Sequence, residues 1–377
     1  MQRIKDILKL VGFWIFLLLV MGVIAEIALH FVSFAGKSTI EYVLHPAFGT
    51  WRKPNQKAVK VTDCYEVDEI LVNSYGMRGH EPNPDKKIKV GLFGDSMVEG
   101  IQVNDSEHFV TLLNNANDTV DYLNFATSST TTVYHLLNLK YHQPVFNLKK
   151  AVIFFFPAND IQENSIPLQI EMSGKRCYYP SFKKDTTEGF VLDTDYAPEG
   201  WDSGWRSWLR KSYVLNKIYT ILPAMQQARA AKPTTGESEI TSLPIAYQPY
   251  NKNRTPEWQT AYDITDFTIL QIKEYCRQQG IELEFVLVPS VGDVMSISEQ
   301  QQYHKKLFDL LDYDIPYRHY TAFLQTQGIP YIDLFDFAKK RIAKQRIPYP
   351  YFSFECDGHY SALGHRMMFD GLKAAGF

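Results

Sequence analysis

Uncharged, apolar residues run without a break from Leu10 to Ala25, and a mostly apolar character continues past Glu26 and His30 to Ala35. About 20 apolar residues suffice to cross a bilayer as a helix, so this stretch predicts a membrane span. Arg3, Lys5 and Lys9 precede it against one acid, Asp6. The positive-inside rule then puts the N-terminus in the cytoplasm and the rest of the chain outside. A cleaved signal peptide, with Val23-Ile24-Ala25 as the cleavage site, is the alternative. The apolar character running on past that site favours an anchor. A buried core helix is the third reading, and an all-round hydrophobic segment at the terminus fits it worst.

Beyond residue 37 the pattern changes. Residues 38–86 hold Pro46, Pro54, Pro82 and Pro84 and read as an irregular lead-in packed on the main domain. Short apolar runs then alternate with helical periodicity. Strands are predicted at Lys87–Phe93, Val120–Asn124, Lys150–Phe156, Ile281–Val288 and Ile329–Leu334. The run KAVIFFF is almost continuously apolar, as a central parallel strand covered on both faces should be. Helices are predicted around Phe109–Asn115, from Thr132, over Pro256–Gln279 with Gly280 as C-cap, over Ser298–Gln327 with a break at Pro316, and over Ala362–Ala375. Five strands alternating with helices predict a parallel α/β sandwich. Residues 161–255 are too many for a simple crossover. They read as an insertion, a lid or cap over the active site, holding Trp201, Trp205, Trp208 and a Pro/Gly/Thr-rich linker at 232–236. The i, i+4, i+7 spacing of those tryptophans is more typical of core than of a sugar platform. The chain therefore divides into a tip and anchor (1–37), a lead-in (38–86) and one enlarged catalytic domain (87–377).

Composition adds exclusions. There are 39 Lys and Arg against 42 Asp and Glu in 377 residues, a net charge of −3, which argues against nucleic-acid binding by bulk charge. The mean hydropathy of −0.24 averages an apolar anchor with a polar remainder. Cys64, Cys177, Cys276 and Cys356 form no C-x-x-C pair, so zinc is not expected. In an oxidising compartment one or two disulfides can form, with pairing unassigned.

Four features carry candidate chemistry. Gly94-Asp95-Ser96 follows the first strand of the α/β domain, at the carboxyl edge where open α/β sheets hold ligands. A serine there faces backbone N–H groups suited to a developing oxyanion. Val98 stands where the second glycine of a G-x-S-x-G elbow would be, and no Gly-Lys-Ser/Thr follows, so neither that elbow nor a P-loop fits. Asp357-Gly358-His359 places an acid two residues before a histidine, the orienter and base of a serine triad. Asn159, after the third strand of that domain, offers an amide donor to the same edge, and the loop Asn124 to Thr130 offers a backbone N–H. Taken singly, each also fits a turn, a polar loop or a helix cap. Together they lie on one sheet edge in the order nucleophile, donor, donor, acid and base. His135, His142, His304, His319 and His365 form no metal constellation at useful spacing, and no cofactor is expected.

These blocks resemble those of the SGNH (GDSL) hydrolase family over about residues 88–160 and 281–375. The resemblance implies a three-layer, flavodoxin-like α/β/α sandwich with a five-stranded parallel sheet. It implies Ser96 as nucleophile, His359 as base and Asp357 as its orienter. The oxyanion donors would be the N–H of Ser96, the N–H of Ser129 and the side chain of Asn159. Ser129 stands where the second block has glycine, Pro157 where the third has glycine, and Asp-x-His replaces the common Asp-x-x-His. That shorter spacing, and the layout of one span, a lead-in with Asn73…Gly76-x-Arg78-Gly79 and a catalytic domain, resemble the membrane-anchored branch that includes alginate O-acetyltransferases. The implied activity is a membrane-anchored serine esterase acting on acyl, foremost acetyl, esters of an envelope glycan or glycolipid. An O-acyltransferase with the same triad, working with a membrane acyltransferase partner, and a non-catalytic glycan-binding or assembly protein are the alternatives.

Overall fold

The computed structural model describes residues 2–34, 40–174, 176–185, 189–196, 243–305 and 307–377. The chain divides into two units, one holding residues 1–38 and 198–241 and the other 39–197 and 242–377. Trp201, Trp205, Trp208 and the linker at 232–236 lie outside the described residues. In the first unit, helix α1 (Gln2–Phe34) has 33 residues, about 50 Å at 1.5 Å per residue. Its stretch Lys5–Ala28 is long and apolar enough, by length and composition, to cross a membrane.

The second unit begins with two antiparallel hairpins, β1 (Tyr42–His45) with β2 (Gly49–Arg52), and β3 (Gln56–Val61) with β4 (Glu66–Val72). This corrects the reading of residues 38–86 as irregular. The prolines mark the ends of short strands instead: Pro46 lies in the β1–β2 turn and Pro54 between the hairpins.

The core of this unit is one five-stranded sheet. Its strands are β5 (Ile88–Phe93), β6 (Val120–Asn124), β7 (Lys150–Phe155), β10 (Glu282–Leu287) and β11 (Tyr331–Asp333), paired in the order β11-β10-β7-β5-β6, all parallel. Numbered by succession, the order is 2-1-3-4-5, the flavodoxin-like arrangement. The chain leaves β5 in one direction to β6 and returns across it to β7. The crevice of the switch point thus opens between the carboxyl ends of β5 and β7.

Alternation along β7 explains its near-continuous apolar run. Ala151, Ile153 and Phe155 face a core built with Phe93, Phe125 and the helices α4 (Thr132–Phe146) and Pro256–Gln279. Val152 and Phe154 face the opposite core, with Phe109, Leu334 and Met367 from the helices Phe109–Asn115, Leu334–Gln345 and Ala362–Ala374. Both layers therefore bury their apolar stripes on one sheet. Thr255 caps the long helix by accepting from Trp258 N, and Gly280, left-handed at φ 66°, ends it.

The helix expected over Ser298–Gln327 is divided. Helices Ile297–His304 and Asp314–Thr326 flank a short 3₁₀ turn, and Pro316 sits in the first turn of the second helix, where a missing N–H costs nothing. The described part of the 161–255 stretch adds the helix Ile166–Ser173 and the hairpin β8 (Ser181–Asp185) with β9 (Gly189–Asp193). Phe182 and Phe190 both meet Phe267 of the long helix.

Candidate active site

The turn that carries Ser96 is dictated by a steric constraint. A Cβ on Gly94 would lie 2.6 Å from Val98 Cγ2 and 3.2 Å from Phe154 Cβ. Glycine alone lets the end of β5 pass this close beneath the one-turn helix α2 (Ser96–Glu99). Asp95 caps that turn, its Oδ1 accepting from Met97 N at 2.9 Å. Gly100, left-handed at φ 64°, closes it against the rings of His365 and His108. Ser96 is left at the mouth of the switch-point crevice.

There a histidine arrives from the far end of the chain. His359 Nε2 lies 3.0 Å from Ser96 Oγ, across a sequence separation of 263. Asp357 Oδ1 lies 3.5 Å from His359 Nδ1 and accepts the His359 backbone N–H at 3.0 Å. The short Asp-x-His spacing thus makes the carboxylate close the turn on the histidine's own backbone. Gly358, at φ 73°, permits that turn. The acid and the ring face each other more loosely than a hydrogen bond, as often occurs before substrate binds. The Tyr65 hydroxyl faces the same carboxylate, and burial together with Asp357 pushes the phenol upward.

Ser129 lines the same pocket with its backbone in the left-handed region, at φ 56°. Glycine takes this conformation freely, and serine takes it at a cost. The preceding residue is clamped. Ser128 donates its N–H to Glu99 Oε2 at 2.7 Å and its hydroxyl to the same oxygen. Glu99 also accepts from Arg52 Nη1 at 2.7 Å and from the Tyr42 hydroxyl at 2.9 Å. Arg52 and Glu99 are both fully buried. Burial pushes the Glu99 carboxyl up, but Arg52 and the Ser128 donors outweigh it and hold it below the usual range. Among the described residues, neither the Ser96 nor the Ser129 N–H has a hydrogen-bond partner.

Asn159 reaches the pocket from helix α5 (Pro157–Glu163), with Pro157 at its first turn. Its Nδ2 donates to Asp95 Oδ2 at 3.0 Å, which leaves one of its two protons for the cavity.

The cleft encloses about 610 Å³ and is lined by Ser96, Ser129, Asn159 and His359, with Lys60, Gln102, Phe156, Glu163, Val291 and Asp357 among its other walls. Among the described residues of the 161–255 stretch, Glu163 lines it. Three carboxyls cluster beneath. Burial raises Asp95 and, together with Asp95, raises Asp160 well above the carboxylate range and Glu163 to about 8. Among the described residues no group of three or more His, Cys, Asp or Glu side chains could hold a metal ion.

Sequence reading missed Arg52, Tyr42, Lys60, Tyr65, Glu99 and Glu163. All lie outside the four blocks, Glu99 by one turn after Ser96. A faint signal existed for the catalytic loop: Cys356 adjoins Asp357, and it pairs with Cys64, a Cα–Cα distance of 6.4 Å, next to Tyr65. The histidines outside the blocks have structural roles. His135, His142 and His365 are buried and driven down to about 3 by burial. His304 meets the Tyr313 hydroxyl at 2.7 Å and His319 meets Asp266 at 3.1 Å.

No family model matches the chain, and no curated protein matches it. Solved structures do align with it. One is a member of the lipolytic protein G-D-S-L family from Veillonella parvula DSM 2008, with 12% identity over 77% of this chain and 98% of that one, at a TM-score of 0.37. An acetyl xylan esterase aligns with 11% identity over 77% and 100%, at 0.41. A two-domain esterase active on acetylated mannans aligns with 8% identity over 76% of this chain and 48% of that one, at 0.37. Scores this low carry no argument about activity. The reading below stands on the site's own geometry.

Proposed function

We propose that this chain is a serine esterase of the SGNH type, tethered by its N-terminal helix, that cleaves acyl esters, foremost acetyl, on an envelope glycan or glycolipid. The observation that carries the reading is the 3.0 Å approach of His359 Nε2 to Ser96 Oγ inside a pocket with two uncommitted backbone donors. Ser96 Oγ attacks the ester carbonyl as His359 Nε2 takes its proton. The Ser96 and Ser129 N–H groups and Asn159 receive the oxyanion. Collapse breaks the bond to the alcohol oxygen, which takes the proton from His359 and leaves. Water, deprotonated by His359, then hydrolyses the acyl-serine and restores the site. The Cys64–Cys356 disulfide supports an oxidising compartment, and with α1 it supports a catalytic unit outside the cytoplasm.

The test uses the full chain in detergent with a short-chain aryl acetate and a serine-reactive fluorophosphonate. The wild type turns over the ester and is labelled at Ser96, whereas Ser96→Ala does neither. Asn159→Ala is slowed by about 10²–10³ in rate, the usual cost of one oxyanion donor. Turnover that survives in Ser96→Ala overturns the assignment. Acyl groups appearing on an added sugar instead of in water would assign transfer in place of hydrolysis.

A further inference from the structure

The inner face of the β3–β4 hairpin carries one residue out of pattern. Side chains alternate between faces along a strand, so Ala58 and Lys60 share one face. Ala58 is buried there with Val67 and Ile70. Between Ala58 and Lys60 the pairing with β4 slips by one residue. Such bulges re-aim side chains and recur beside active sites. Lys60 contributes to the wall of the pocket that holds Ser96 and His359.

The lysine is held but not neutralised. Its Nζ sits 5.2 Å over the Tyr65 ring, a weak cation–π contact. Tyr65 adjoins Cys64, whose disulfide to Cys356 ties the hairpin to the catalytic loop. Partial burial pushes the ammonium down, opposed by Asp357 and Glu99. Those two carboxylates are engaged elsewhere. Glu99 takes Arg52, Tyr42 and Ser128, and Asp357 takes the His359 backbone and faces its ring. Among the described residues no carboxylate forms an ion pair with Lys60. Glu163, the other acid on the pocket wall, holds its proton at pH 7. The pocket thus presents a partly desolvated cation that forms no ion pair among the described residues, on a chain whose net charge is −3. A charge-assisted hydrogen bond to an anion would satisfy it.

We propose that Lys60 is a specificity residue of this pocket and receives an anionic group, a carboxylate or a phosphate, carried by the acylated substrate. The proposal rests on the esterase reading above. An inward lysine can also guard a strand edge against pairing. That role is indifferent to substrate charge, and the experiment reads substrate charge.

The full chain is assayed with three acetates on one ring: acetylated methyl glucoside, acetylated glucuronate and acetylated glucose 6-phosphate. The wild type favours at least one charged ester over the neutral one, and which of the two tells carboxylate from phosphate. The ratio of kcat/KM for that ester over the neutral one falls at least tenfold in Lys60→Gln, mainly through KM. It falls further in Lys60→Glu and largely returns in Lys60→Arg. A ratio unmoved by Lys60→Gln and Lys60→Glu, or a wild type that favours the neutral ester, overturns the proposal. Lys60→Met keeps the apolar stem should the other variants misfold. If the wild type cleaves none of the three, the reading of acetylated sugars as its substrates fails separately. Calorimetric binding of acetylated glucuronate and of acetylated glucose 6-phosphate to Ser96→Ala then decides Lys60 by itself. Tighter binding of either one than by Ser96→Ala/Lys60→Gln supports it, and equal binding of both overturns it.

Discussion

Ser96 and His359 meet at one point, yet they are held there in opposite ways. The serine turn is locked from within. Gly94 is wedged under Val98, Asp95 is 1% exposed, and Glu99 is buried with its ion-pair partner Arg52. The histidine loop lies outside, with Glu355, Cys356, Asp357 and Gly358 all exposed. Two backbone bonds, Phe354 N to His359 O at 2.8 Å and Gly358 N to Phe354 O at 2.9 Å, fold it on itself. A disulfide and the hairpin of the former lead-in tie it down. In the proposed mechanism, close packing suits Ser96 as a nucleophile that must meet fixed oxyanion donors. In the same mechanism, a tethered loop suits His359 as a base that passes a proton both ways.

The sharpest way to break the buried side is Arg52→Met. It leaves Glu99 without its counter-charge and Ser128 without a firm anchor. Removing one partner of a buried pair costs about 3–5 kcal/mol. The expected outcome is a fall of that size in denaturant-derived stability, with activity reduced in the fraction still folded. A change under about 1 kcal/mol would mean that the network does not lock the serine side.

On the outer side, Cys64→Ser/Cys356→Ser is expected to cost roughly 2–4 kcal/mol, since the bridge closes a long loop. Because it tethers the loop that carries His359, kcat should fall at a temperature where the variant is still folded by circular dichroism. Equal kcat in the folded variant would show that packing of Tyr65 on Phe354 suffices to hold the loop.

The smallest effect separates the regions by pH. Glu163 sits at about 8 in the fold because burial raises it first and Asp95 second. Its folded value lies above the unfolded one, near 4.5. Its contribution to stability is full below the unfolded value and is lost as the pH rises through the folded one. Glu163→Gln removes this dependence. The stability difference between variant and wild type should therefore shift in the variant's favour, on the order of 2 kcal/mol, between pH 6 and pH 8. A difference that stays flat with pH would mean that Glu163 is ionised in the fold.

Much of this was open to a reader of the chain. The five strands of the sheet and the Pro256–Gln279 helix follow from apolar runs and caps that are local in sequence. Ser96, Asn159 and the loop carrying Ser129 each follow a strand of the sheet, so the topology alone brings them to one edge. The first lead-in hairpin was not legible, because four-residue strands on either side of Pro46 leave too little alternation to read. Asn159 was legible as a side chain at that edge, but its hydrogen bond to Asp95 was not.

The sequence by itself determined the long apolar N-terminal helix, the parallel sheet and the residue types at its carboxyl edge, because periodicity, caps and turn residues act within a few positions. Only the tertiary structure decided which cysteines pair and that Arg52 neutralises Glu99. It also decided that Ser129 adopts the left-handed backbone of a missing glycine and that Lys60 turns inward onto the pocket. Those outcomes depend on groups tens to hundreds of residues apart meeting in a space that water has left. Pairing, desolvation and steric fit become defined only once that space exists.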